Sequence, residues 1–108
     1  EIGIGWGGLA ERILTGHGGR LTGVGDVGAQ VRQCLVNLAR VVTTHGFELA
    51  DVHRLVVYVV GDRARMSDAW RAVAQHFDGE VPPATLLGVS LLGYDDQWVE
   101  IDAEVARH

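Results

Sequence analysis

Between Asp26 and Gly46, the apolar residues Val27, Val31, Cys34, Leu35, Leu38, Val41 and Val42 recur at the spacing of one helical face. No other stretch limits the fold as tightly. Asp26 suits an N-cap, because its carboxylate can accept from the first unpaired backbone amides. Gly46 suits a stop, because glycine enters the left-handed region at little cost. Arg32, Gln33, Asn37 and Arg40 are expected on the outer face. Such a helix gains most of its stability by burying its stripe, so the chain must provide a surface for it. Cys34 lies on or beside the stripe and reads as packing rather than as a nucleophile.

Residues 52–60 provide that surface. Val-His-Arg-Leu-Val-Val-Tyr-Val-Val is a β-branched run without Gly or Pro, as suits a strand covered on both faces. A second helix is expected over 63–77, capped by Asp62, with Ala69, Trp70, Val73, Ala74 and Phe77 as its inner stripe. Asp78-Gly79 ends it, and Pro82-Pro83 prevents its resumption. Strands are expected at 85–92 and 97–106, joined by a turn at Tyr94-Asp95-Asp96. In the second of them Val99, Ile101, Ala103 and Val105 face one way, and Trp98, Glu100, Asp102 and Glu104 the other. Residues 1–8 read as a short strand and bend, 9–16 as another strand, and 17–25 as a glycine-rich loop.

This order predicts an α+β domain, a sheet with both helices on one face. The other face would stay wet, and Trp98, Leu86 or Leu87 would be poorly placed there. A cyclic oligomer that packs these open faces together would cover them.

The 108 residues fit one domain, 1–108. No apolar run is long enough to span a membrane, and the N-terminal residues lack the pattern of a signal peptide. A net charge of −5 argues against nucleic acid as a partner, since phosphate binding draws on clustered positive charge. Cys34 is the single cysteine, so no internal disulfide forms, which is compatible with a cytoplasmic protein. His45, His53, His76 and His108 have no metal-ligand spacing. Gly18, Gly19, Gly23 and Gly25 lack the ending of a phosphate-binding loop.

Several blocks in order resemble the Rid (YjgF-type) family. They are Thr15-Gly16-His17 after an early strand, and Ala29-Gln30-Val31-Arg32-Gln33 with Leu35-Val36-Asn37-Leu38 in the first helix. Leu49-Ala50-Asp51-Val52, Pro83-Ala84 and Val99-Glu100-Ile101-Asp102-Ala103 follow. The resemblance covers nearly the whole chain, with the family's N-terminal stretch shortened. It implies a fold like that of the trimeric chorismate mutases, a homotrimer, and ligand sites in clefts between subunits. It also implies no metal, flavin or nucleotide cofactor.

In the best-known members of the family, an arginine after Pro-Ala grips the carboxylate of an imino acid. A glutamate on the last strand directs water at the imine carbon. By this resemblance Glu100 is the catalytic acid–base residue and His17 a second one. Thr15, Gly16, Thr85 and Trp98 would bind the substrate. The arginine position holds Thr85, which offers one hydrogen bond and no charge. Losing a bidentate ionic contact costs about two orders of magnitude in affinity or more, which counts against imino-acid deamination in its usual form. Arg12 is a candidate substitute. The expected function is a divergent, cofactor-free hydrolase, deaminase-like or tailoring enzyme for a small imine, enamine or related metabolite. The alternative is a non-catalytic ligand-binding or scaffold trimer. Ribonuclease activity is disfavoured by the acidic charge.

Overall fold

The computed structural model describes the backbone of residues 2–4 and the chain from 24 to 106. Its elements are β1 (Ile2–Ile4), α1 (Val27–Thr44), a 3₁₀ turn (Leu49–Asp51), β2 (Val52–Val60), α2 (Arg63–His76), β3 (Ala84–Val89) and β4 (Val99–Val105). One mixed sheet runs in the order β1-β4-β2-β3. β2 pairs with β3 in parallel and with β4 antiparallel. The expected strand at 9–16, the loop at 17–23 and the bend after residue 4 lie outside the described residues.

Both helices pack on one face of the sheet, as the pattern predicts. Val31, Cys34, Leu35, Leu38 and Val42 from α1 and Ala69, Ala72 and Val73 from α2 meet Leu55, Val57 and Val59 of β2 and Val99, Ile101, Ala103 and Val105 of β4. Register places these sheet residues opposite one another, Leu55 with Ala103, Val57 with Ile101 and Val59 with Val99. The apolar side chains therefore form one continuous layer, whose removal from water drives the fold.

The helix ends follow their sequence signals. The Asp26 side chain accepts from Ala29 N at 3.0 Å and the Asp62 side chain from Arg65 N at 2.9 Å. At the end of α1, Gly46 has φ 83°. Its amide donates to Thr43 O at 3.0 Å, and Phe47 N donates to Val42 O at 2.8 Å. This is the paired closure of a glycine-terminated helix.

Four expectations are corrected. β2 is buried on one face only, because Arg54 is exposed and Val56, Tyr58 and Val60 are half-buried. Asn37 is buried rather than on the outer face, and it accepts from Gln33 Nε2 at 3.0 Å. β3 stops at Val89, short of residue 92. β4 begins at Val99, so Gln97 and Trp98 fall outside its alternation. No helix among the described residues is long and apolar enough to cross a membrane.

Candidate functional site

The face of the sheet turned away from the helices carries the candidate site residues Glu100 and Thr85. Strand alternation and register arrange it in rows. One row is Leu87, Tyr58 and Glu100, and the next is Thr85, Val56 and Asp102. Arg54 stands opposite Glu104 in the following row. The His53 Nε2 lies 3.6 Å from Glu104 Oε2 beside the irregularity between Val52 and Arg54. Thr85 and Glu100 thus share a face, and their α-carbons are roughly 11–12 Å apart, two strands over and two residues along.

Glu100 is half-buried. Burial holds its carboxyl above the ordinary range, and the charge of Asp102 adds to the effect. Its own charge raises the Cys34 thiol, which burial has already pushed well up. Cys34 is therefore a protonated packing residue and not an activated nucleophile. Tyr58 is a candidate site residue that sequence reasoning missed. Its hydroxyl donates to Asp102 Oδ2 at 3.3 Å. The charge of Asp102, followed by burial and this hydrogen bond, raises the phenol. The signal was available in parity: 54, 56, 58 and 60 must face away from Leu55, Val57 and Val59.

Trp98 does not share the Glu100 face. The Arg65 guanidinium lies 3.5 Å above its ring, and Arg65 Nη1 donates to Val60 O at 2.9 Å. The ring lines a groove of about 560 Å³ on the helix side, between the start of α1 and the length of α2, with Asp26, Arg32, Asp62 and Arg71. The groove contains neither Glu100 nor Thr85. Gln30 explains the displacement. Fully buried in α1, it accepts from Trp98 N at 2.8 Å and donates to Asp96 O at 2.9 Å. This clamp fixes the approach to β4 and delays its alternation until Val99. The Ala-Gln-x-Arg-Gln block therefore serves the fold through Gln30. Thr15, Gly16, His17 and Arg12 lie outside the described residues. No group of three or more His, Cys, Asp or Glu among the described residues could hold a metal ion.

The family model described as Endoribonuclease L-PSP matches residues 7–107. The chain belongs to this family, the Rid or YjgF family. A Rid-family protein of unknown function, YyfB from Yersinia pestis, is 31% identical with a TM-score of 0.68, over 81% of this chain and 67% of that one. A YjgF/YER057c/UK114-family member from Mycobacterium tuberculosis is 33% identical with a TM-score of 0.66, over 74% of this chain and 67% of that one. The YjgF gene product of E. coli is 26% identical with a TM-score of 0.72, over 84% of this chain and 71% of that one. No curated protein matches the chain. The Rid fold accounts for the mixed sheet with two helices on one face.

Proposed function

We propose that this Rid-family chain is a cofactor-free hydrolase of small imines or enamines, working in clefts between the subunits of a homotrimer. The observation that carries the reading is the placement of Glu100. It is a half-buried carboxyl on the open sheet face, held above its usual range by burial and by Asp102. A carboxylate with a raised pKa is a stronger base toward water than an ordinary one. Water oxygen adds to the imine carbon while Glu100 takes a proton from it. The nitrogen is protonated and leaves as ammonia or an amine as the carbonyl forms. Thr85 supplies a hydrogen bond, and Thr15, Gly16 and His17 are proposed to complete the site.

The trimer is supported by the apolar content of the same face. Leu87 is 43% exposed there, beside half-buried Val56, Val60 and Val89. A partner's sheet packed on this face would cover them and turn the wet surface into a cleft. RNA cleavage, which the family's description names, fits this face poorly. Among the described residues, Glu100, Asp102 and Glu104 outnumber the cations of this face, and the chain carries a net charge of −5.

The test uses imines generated from several amines and amino acids. The wild-type protein is expected to speed their decay, and Glu100→Gln to slow that catalysis by about 100-fold or more. If both proteins leave the decay at its background rate, the hydrolase reading fails. Saturable binding without turnover would then favour the non-catalytic alternative.

A further inference from the structure

The open face also limits what kind of ligand fits. We infer that the site takes a flat, conjugated ligand lying across the Tyr58 ring, its nitrogen end at Glu100 and a hydrogen-bond acceptor at Thr85. The inference rests on the reading of this face as the ligand site.

The argument begins with reach. Side chains on one face of a sheet rise nearly parallel, so those of Glu100 and Thr85 are separated by much of the roughly 11–12 Å between their α-carbons. An arginine at position 85 would extend about 7 Å and could lie across that gap, whereas the threonine hydroxyl sits only about 2.5 Å from its α-carbon. A short acid could therefore touch Glu100 and an arginine together, but no ligand of a few atoms can touch both Glu100 and Thr85. The ligand that uses both must span roughly 8–10 Å between its polar ends.

What lies between those ends is aromatic and apolar. Tyr58 stands directly opposite Glu100, yet its hydroxyl reaches Asp102, which is opposite Val56. The ring therefore leans toward β4 and into the row that Thr85 shares, crossing the line between Glu100 and Thr85 nearer its Glu100 end. Val56 and Leu87 flank it on the same face. Asp102 holds the hydroxyl and so fixes the ring's tilt. An aromatic surface in a set orientation favours a stacked planar partner over a puckered chain of equal length. Thr85 offers a donor at one end, and Glu100 accepts from an N–H at the other.

The test uses stable amides in calorimetric titrations. Para-methoxycinnamamide is flat and carries an acceptor far from its amide. Its side-chain-saturated analogue has the same atoms in a flexible chain, and crotonamide is planar but short. The flat amide is expected to bind wild-type protein about 10-fold more tightly than crotonamide and several-fold more tightly than the saturated analogue. Tyr58→Leu, which keeps apolar bulk, should weaken it by about 5- to 10-fold, whereas Tyr58→Phe, which keeps the ring but frees its tilt, should weaken it by only about twofold to threefold. Thr85→Val should weaken it by about threefold to fivefold. Circular dichroism establishes that each variant is folded. Equal or tighter binding of crotonamide overturns the inference. So does no saturable binding of the flat amide, or a Tyr58→Leu variant that is folded and binds unchanged. If the flat amide binds in a Tyr58-dependent way but imines decay only at background rate, the hydrolase reading fails and the ligand class stands.

Discussion

Glu100 shows how a side chain proposed for catalysis acts against the fold that holds it. Its carboxyl is raised by burial and by Asp102, so the folded state binds its proton more tightly than the unfolded chain does. The stability linked to this group is fully present below the unfolded pKa. It falls as pH rises through the folded pKa, which lies higher. At neutral pH the ionised form is therefore a net cost. Glu100→Gln removes the charge and keeps the shape, so it should raise the neutral melting temperature by roughly one or two degrees, with the gain vanishing as pH drops below the ordinary carboxylate range. Paired thermal melts at neutral and acidic pH measure this. A gain that is equal at both pH values would assign the effect to something other than the carboxylate. The acid was legible in the sequence as part of an alternating strand, and the resemblance gave it a role. The hydrogen bond between its neighbour Asp102 and Tyr58 was not, because a contact between residues 44 positions apart depends on register. Trp98 was misplaced for a related reason. Parity counts only within a strand, and the buried amide of Gln30 holds Trp98 just outside it.

The elements themselves were easier to read, since caps and stripes are local. Asp26, Gly46 and Asp62 mark their helix ends as the sequence implied. The end of α2 is the informative exception. Its left-handed position is held by Asp78, with φ 52°, and Gly79 follows at φ 83°. Asp78 N donates to Gln75 O at 3.2 Å and Gly79 N to Ala74 O at 2.9 Å, so the closure matches that of α1 without glycine at the same place. An aspartate tolerates the left-handed region at a cost that glycine avoids. Asp78→Gly should therefore stabilise the protein by about 0.5 kcal/mol, part of the local gain being lost to a more flexible unfolded chain. Urea denaturation followed by circular dichroism measures it, and a destabilisation above about 0.5 kcal/mol would show that the aspartate has a role the backbone does not explain. Strand limits were less legible than helix limits. The run over 52–60 reads as doubly covered because valines fill both parities. Burial separates them, with Leu55, Val57 and Val59 in the core and Val56 and Val60 only half-covered.

Those half-covered valines make the whole molecule the scale on which the site has to be completed. One sheet face is sealed by α1 and α2, while the other presents Val56, Val60, Leu87 and Val89 around Tyr58 and Glu100. β3 adds to the demand. It carries no charged residue from Ala84 to Val89, although charges commonly protect a strand at the end of a sheet. A second copy over this face would bury the apolar residues, further desolvate Glu100 and close a cleft above Tyr58. Assembly and ligand binding are thus expected to fail together. Leu87→Asp places a charge among these residues and should shift the sedimentation profile at micromolar concentration from a trimer toward monomer. It should leave the helix-side core and the circular dichroism spectrum unchanged, since Leu87 is 43% exposed in the single chain. The same variant should lose binding of the flat amide by about 10-fold or more if the cleft needs its neighbour, because the partner's wall excludes water from the stacked ligand. A wild-type monomer under these conditions would sink the assembly proposal. A Leu87→Asp monomer that still binds the amide would place the whole ligand site on one chain's sheet face.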